Sequence, residues 1–382
     1  MRRWGLCHNP GMSSRPISFL HTADWQIGRQ YGQFDDDDAA VLAEARLETV
    51  ARLAALARER GVDAVLVAGD VFDTQAVSDR SIRRLFDALA GYAGPWVMIP
   101  GNHDAALAES VWTRARQLDC IPANVHLALQ PGVIALPGLA VLAAPLTQRH
   151  TYDDVTRVFD SLESPPGLPR VGLAHGSVAG RLPESADAAN PIAPDRAERA
   201  RLDYLALGDW HGCLRVGARC WYAGTPEPDR FRGNAPGFAL HVRLAGGEPE
   251  VEQVAVGRYR WLDWDVELAL PADAEMLEAR LQALQADDVL RLSLRGSVSL
   301  AAWERLAQAI GRAEARLRAL RLEHEALGLE PDEADFAALD GGGYVGEVAA
   351  RLRAMQGDPQ AAPVAREALR ILMRLAREER GA

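Results

Sequence analysis

The sequence predicts an α/β fold in which two packed sheets are flanked by helices. Strand-length apolar runs alternate with helically spaced ones, and strands then follow in series across Pro-Gly turns. In addition, an Asp, Asn or His stands just past the end of several strand runs. Ile17 to Ala23 is a short apolar run ending at Asp24. Asp35 to Asp38 place negative charge at the positive pole of a helix. Its body, Ala39 to Arg60, carries Leu47, Val50, Leu53 and Leu56 at helical spacing and stops at Gly61. Ala64 to Ala68 is a buried strand ending at Gly69-Asp70, Ser78 to Ala90 a helix, and Trp96 to Ile99 a strand running into Pro100-Gly101-Asn102-His103-Asp104.

A helix is expected around Leu107 to Leu118, followed by strands at Val125 to Leu129, Val133 to Leu136 and Leu139 to Leu146. Gly172 to Ala174 ends at His175, and Tyr204 to Leu207 ends at Gly208-Asp209-Trp210-His211. Trp221 to Ala223 and Phe238 to Leu244 close this section. The character shifts near Gly257, where a small α+β unit begins. Tyr259 to Leu270 reads as strand, Ala274 to Ala286 as helix, Val289 to Leu294 as strand, Leu300 to Leu320 as helix and Leu322 to Leu329 as strand. Asp340-Gly341-Gly342-Gly343 reads as a hinge, with helices at Tyr344 to Met355 and Pro363 to Glu379 beyond it.

Composition narrows the class. The 382 residues hold 42 Lys and Arg against 53 Asp and Glu, a formal net charge of −11, and 48% are hydrophobic. This excludes disordered, collagenous and disulfide-scaffold classes and argues against a broadly basic nucleic-acid grip. No run approaches the roughly 18–20 apolar residues of a membrane span. Residues 1–16 are basic without an apolar segment, so they read as a loose tail, with Met12 as an alternative start. Cys7, Cys120, Cys213 and Cys220 have neither zinc nor C-x-x-C spacing, which points to a reduced, cytoplasmic protein.

The chemistry lies in where the donors fall. Asp24, Asp70, Asn102, His175, Asp209 and His211 each follow an apolar run closely, and at that edge of an α/β sheet the loops converge. Such a set can hold two divalent ions, with a bridging carboxylate setting them about 3.5–4 Å apart. An Asp after a strand is commonly just a turn-former, and G-D-V-F-D alone reads as a strand exit. G-N-H-D is sharper, because an amide, an imidazole and a carboxylate follow one another.

The ordered set H-T-A-D-W-Q, G-D-V-F-D, G-N-H-D, A-H-G and G-D-W-H resembles the calcineurin-like metallophosphoesterases. Within them, L-H-T-A-D-W-Q-I-G-R, V-L-V-A-G-D-V-F-D and Y-A-G-T-P-E (Tyr222 to Glu227) are most similar to the DNA-repair exonuclease branch, the SbcD-type nuclease subunits. The resemblance implies a four-layer α/β/β/α sandwich over residues 17–257, an α+β capping domain over 258–340, and a C-terminal helical pair over 341–382 that docks a partner. It implies hydrolysis of a phosphodiester by two-metal-activated hydroxide, DNA as substrate, an SbcC-type coiled-coil ATPase as partner, and room for a homodimer. Position by position, Asp24 and His211 would bind the first ion, Asp70 would bridge, and Asn102 and His175 would bind the second. His103 would protonate the leaving oxygen, oriented by Asp104, a role that suits an imidazole.

Two positions depart from the branch. Gln26 and Asp209 stand where D-x-H and G-H-x-H carry ligand histidines. Asp24, Asp70 and Asp209 then make three ligand carboxylates, and this oxygen-rich set favours Mn²⁺ or Mg²⁺ over Zn²⁺. Two other readings stay open: a small-molecule phosphodiesterase or phosphatase, and a weakly active regulatory or assembly subunit. His21 reads as a core residue inside its strand, and His8, His126, His150, His241 and His324 fit no motif. Trp25 and Trp210 read as packing residues or as walls of the site. Arg230 and Arg232 read as a solvated loop or phosphate contacts. Arg366, Arg370, Arg374 and Arg377 read as the solvated face of a helix whose other face holds Leu369, Leu372 and Leu375.

Overall fold

Successive side chains on the central strands go to opposite faces, and this alternation sorts the core into layers. The computed structural model describes residues 16–182, 189–231, 233–330 and 344–358, with separate positions between 361 and 375. The chain divides into two compact units, Met1–Arg258 and Tyr259–Ala382.

The first unit runs β1 (Ile17–Thr22), α1 (Asp36–Arg60), β2 (Ala64–Ala68), α2 (Asp79–Ala88), β3 (Trp96–Ile99), α3 (Val111–Gln117) and β4 (Val125–Leu127). Then come β5 (Gly132–Leu136), β6 (Leu139–Ala144), β7 (Arg170–His175) and the short pair β8 (Ser177–Val178) and β9 (Pro191–Ile192). After α4 (Arg196–Arg199) follow β10 (Tyr204–Gly208), β11 (Leu214–Arg215), β12 (Cys220–Tyr222), β13 (Phe238–Leu244) and β14 (Glu250–Ala255). They form two six-stranded sheets, ordered β14-β13-β1-β2-β3-β4 and β11-β12-β10-β7-β6-β5. β1 to β4 are mutually parallel, as are β6, β7, β10 and β12.

Phe19, Leu66 and Val97 of the first sheet share one buried cluster with Val141, Leu173 and Ala206 of the second, so the sheets pack face to face. The alternate residues Leu20, Val65, Trp96 and Met98 pack outward with Val50 and Leu53 of α1 and Phe86 of α2. Leu142, Leu205 and Leu207 do the same on the second sheet with Phe159 and Ala197. These are the four layers.

Several boundaries differ from the sequence expectation. α1 begins at Asp36 because the Asp35 side chain accepts the Asp38 N–H and caps it. β14 was not anticipated, since its sequence EVEQVA is mostly exposed and carries no apolar signal. α6 (Leu300–Glu314) stops short of Leu320, and the chain from Ala319 to Glu330 is strand. Leu317 and Leu320 continue the helical spacing through the turn, which disguised it.

In the second unit, β15 (Arg260–Leu268), α5 (Pro271–Gln282), β16 (Asp288–Ser299), α6 and β17 (Ala319–Glu330) form a three-stranded parallel sheet crossed over by two helices. Leu290, Leu292 and Leu294 lie under Leu277, Leu281, Leu306 and Ile310. Between them Arg291 pairs with Asp263, Ser293 with Glu323 and Arg295 with Asp265, so that face is polar. A helix follows at Tyr344–Met355. Leu369 is buried and Leu375 exposed. The hinge at 340–343, the tail at 1–15 with Cys7 and His8, and the arginines at 232, 366, 370, 374 and 377 lie outside the described residues.

Two buried polar side chains lock the first unit together. His21 is fully buried on β1, with Nε2 3.1 Å from the Leu207 carbonyl and Nδ1 3.0 Å from the Tyr204 hydroxyl. A carbonyl only accepts, so Nε2 donates and Nδ1 accepts from Tyr204, which satisfies the neutral ring. Arg46, on α1, uses every N–H of its guanidinium. Nε donates to Trp25 O at 2.7 Å, Nη1 to Tyr31 Oη and Glu227 O at 3.0 Å, and Nη2 to Asp24 O at 3.2 Å and Thr225 Oγ1 at 2.9 Å. It thereby ties the exit of β1 to the Thr225–Glu227 turn.

Burial pushes His21 down to about 3, so between that value and the ordinary histidine range the unfolded chain takes up a proton that the folded chain refuses. Stability from this residue is complete above pH ~6.5 and falls by about 1.4 kcal/mol for each pH unit below it. Denaturant titrations at pH 7.5 and 5.5 will show this extra loss in the wild type and not in His21→Gln; equal pH slopes would remove the assignment. For Arg46→Lys, three mobile donors replace a planar fork, leaving buried carbonyls unpaired at about 1–3 kcal/mol each. The expected loss is about 2–4 kcal/mol in denaturant unfolding, and an unchanged midpoint would refute it.

Candidate active site

The site begins where β1, β2, β3, β7 and β10 end. Past β1 and β2 the two exits are zipped together: Asp24 N–H donates to Gly69 O at 3.0 Å, Gln26 N–H to Asp70 O at 2.9 Å and Ile27 N–H to Val71 O at 2.9 Å. Asp24, Gln26 and Asp70 have φ of +54°, +50° and +51°, and Asp209 past β10 has +102°. Asp is one of the few side chains that tolerate this left-handed region. The neighbouring glycines are required sterically. A Cβ on Gly69, itself at φ +88°, would run into the His175 ring, and one on Gly101 would meet the Asp70 carboxylate.

Asp24, Asp70 and His175 present donor atoms that all lie within 4.8 Å of one another, and all three residues are buried. His175 Nδ1 is 2.8 Å from the Ala68 carbonyl, so Nδ1 carries the hydrogen and Nε2 faces the cluster. Nε2 lies 3.2 Å from Asn102 Oδ1, 3.5 Å from Asp70 Oδ1 and 3.7 Å from Asp209 Oδ1. The other Asp209 oxygen accepts from Ser177 Oγ at 3.0 Å, while the Asp209 N–H donates to Asp24 Oδ1 at 3.1 Å. Gln26 is fully buried; its Nε2 donates to Asp70 Oδ2 at 2.8 Å, and its Oε1 has no hydrogen-bond partner.

The electrostatics record crowded negative charge. Burial raises Asp24 to about 6, helped by Asp70 and Asp209 against the pull of His211 and His175. Burial also raises Asp209. His175 would be lowered by burial, but Asp70, Asp24 and Asp209 outweigh it and lift the ring to about 9. A set of three largely buried carboxylates with one imidazole, one amide oxygen and one orphaned amide oxygen is short of positive charge. Divalent ions fit it, because they supply that charge and a partner for Gln26 Oε1.

The remaining predicted residues fall as follows. His103 Nδ1 donates to the Asp73 carbonyl at 2.7 Å, which turns Nε2 towards Asp70, 4.0 Å from Oδ2. Asp104 does not orient that ring as expected. Its carboxylate accepts from Gly101 N–H at 2.7 Å and Phe72 N–H at 3.1 Å, so it pins the loop backbone instead. Burial, then the nearby Asp70, pushes Asp104 up to about 7. His211 sits against Asp229, with Nδ1 3.2 Å from Oδ2, and against Arg230. Trp25 is core, donating to Thr22 Oγ1 and packing edge-on against Trp96, and Trp210 is half-buried on the outer cluster of the second sheet. Burial pushes the Cys213 and Cys220 thiols up to about 11 and 12, and neither stands in the Asp24, Asp70 and His175 group of donors.

Sequence reading missed Ser177, Arg46 and Asp229. Arg46 had a signal, a charge on the stripe of Leu42, Thr49 and Leu53 that α1 buries. Asp229 stands in P-D-R-F, a segment read only for its arginines. It is buried, and although burial raises a carboxyl, His211, Arg46 and Arg230 hold it well below the usual range.

Among known proteins, the SbcD component of the nuclease SbcCD from Rhodobacter capsulatus is 31% identical over 259 residues, covering 56% of this chain and 62% of that protein. The DNA double-strand break repair protein Mre11 of Aeropyrum pernix is 30% identical over 260 residues, covering 63% and 61%. The SbcD component of the Bacillus subtilis nuclease SbcCD is 24% identical over 274 residues, covering 62% and 68%. The chain spans about three fifths of the length of the first two relatives. A family model for calcineurin-like phosphoesterases matches residues 17–213, a span that holds every strand exit described above, from Asp24 to His211. This chain therefore belongs to the calcineurin-like phosphoesterase family.

Proposed function

We propose that this chain is a metal-dependent phosphodiester hydrolase acting on DNA, a repair exonuclease subunit. The observation that carries the chemistry is His103, anchored at Nδ1 by the Asp73 carbonyl with Nε2 free beside the Asp70 cluster. Asp24, Gln26, Asp70 and His211 would hold a first ion, and Asp70, Asn102, His175 and Asp209 a second. Bound there, divalent ions, Mn²⁺ first among them, supply Lewis acidity to the phosphate and lower the pKa of the attacking water. His103 Nε2, when protonated, gives its proton to the leaving oxygen. Asp104 keeps the Gly101–Asp104 loop in place, so that the Asn102 and His103 side chains hold their positions.

A cavity of 540 Å³ runs past Asn102 and His103 and is lined by Arg29, Gln75 and Arg149. Two guanidiniums along it suit a chain of phosphates rather than one phosphate. The name of the Aeropyrum pernix relative, a DNA double-strand break repair protein, supports DNA as the polymer, and the other two relatives are named as nuclease subunits. We assign residues 258–340 to capping the substrate and 341–382 to docking on an SbcC-type coiled-coil ATPase. Of the ten large apolar side chains that stand exposed among the described residues, Tyr344, Val345, Met355, Val364, Ile371 and Leu375 lie in that last segment, which suits such docking. No helix among the described residues is long and apolar enough to cross a membrane.

With Mn²⁺, the purified chain should cleave linear duplex DNA, alone or with the ATPase. His103→Ala should lower kcat by about 10²–10⁴ while Mn²⁺ binding persists. Full activity in His103→Ala would remove the general acid. Cleavage of a chromogenic diester without cleavage of duplex or single-stranded DNA, even with the ATPase added, would make this a small-molecule phosphodiesterase.

A further inference from the structure

His211 is held by two oppositely charged neighbours that the proposed reaction does not use. Asp229, 1% exposed, places Oδ1 and Oδ2 at 3.3 and 3.2 Å from His211 Nδ1. The Arg230 guanidinium grips the same carboxylate, Nε to Oδ1 and Nη2 to Oδ2, both at 3.1 Å. Its Nη2 also lies 2.9 Å from His211 Nδ1 and 3.3 Å from Nε2.

The ring has two neutral tautomers, and Arg230 opposes an ion in both. If Nδ1–H donates to Asp229, the Nε2 lone pair is free for a cation, and the nearest donor to it is the guanidinium. If Nδ1 instead accepts from Arg230, the hydrogen moves to Nε2 and that atom no longer ligates. A guanidinium is always charged, so it also repels an approaching cation. The Arg230 side chain is 34% exposed, so it has room to leave the ring while staying on Asp229.

We propose that Arg230 holds the first ion's place on His211 and competes with that ion for the ring. This rests on the reading of His211 as a ligand. When His211 passes to the ion, Asp229 accepts its Nδ1–H and fixes the ligating tautomer, as a carboxylate behind a metal-bound histidine does. Arg230 is then released to pair with a phosphate oxygen. First-ion binding and phosphate binding are coupled, and the first ion binds more weakly than the second.

The test is calorimetric titration of the metal-free full chain with Mn²⁺, beside Arg230→Gln and Arg230→Lys, with electron paramagnetic resonance to detect spin-coupled manganese pairs. The wild type should show a tight and a weak step. Arg230→Gln should tighten the weak step about tenfold or more, leave the tight one unchanged and form coupled pairs at lower Mn²⁺, while Arg230→Lys stays closer to the wild type. Inorganic phosphate should tighten the weak step in the wild type and not in Arg230→Gln. Two steps unaltered in Arg230→Gln, with an unchanged melting temperature, would overturn the role of Arg230 and leave the two-ion reading standing. One ion per chain in both proteins would overturn the two-ion reading and this proposal with it.

Discussion

The site depends on a backbone constraint: the chain turns left-handed at Asp24, Asp70 and Asp209, just past β1, β2 and β10. A strand that simply continued would send successive side chains to alternate faces of its sheet. The reversal instead keeps three carboxylates at the strand ends, beside His175. Each such non-glycine residue costs about 1–2 kcal/mol, so the neighbouring structure has to enforce it. The paired N–H to carbonyl bonds between the two exits do part of this. Arg46 does more, because its grip on the carbonyls of Asp24 and Trp25 prevents that turn from relaxing.

The same constraint explains why the site's acidity is confined. The chain's net charge of −11 argued at first against a nucleic-acid enzyme. Part of that charge is concentrated at Asp24, Asp70 and Asp209, where burial and mutual repulsion raise Asp24 and Asp209, while the three carboxylates together lift His175 against its own burial. The surrounding arginines are not scattered. Arg29, Arg46 and Arg230 all surround Asp229, on the His211 side of the centre.

Most of the fold was legible because the signals were local. Each central strand is a run of apolar residues, and each donor stands at its end, as in Ala64–Ala68 followed by Gly69-Asp70. What was not legible depends on long-range partners. Arg46 reads as one more arginine on a charged helix until β1 and the Thr225 turn are seen to converge on it. The resemblance implied that Asp104 orients His103, yet the Asp104 carboxylate accepts from the Gly101 and Phe72 backbone N–H groups instead. β14 carries too few apolar residues to announce itself, and it is paired only because β13 offers an edge.

The two substitutions for histidine act on opposite halves of the centre. Asp209 adds a charge beside His175, where Asp70 already stands. Gln26 adds none beside Asp24, and it spends its amide N–H on Asp70. A cation between Asp70 and His175 would meet two carboxylates, an amide oxygen and an imidazole. One near Asp24 and His211 would likewise meet two carboxylates, Asp24 and the shared Asp70, with the Gln26 amide and an imidazole, and it would also face the Arg230 guanidinium. A unit charge at about 4 Å is worth about 4 kcal/mol even at an effective dielectric near 20. With two carboxylates, an amide and an imidazole proposed for each position, the guanidinium beside His211 is the charge that would make the two positions unequal in affinity.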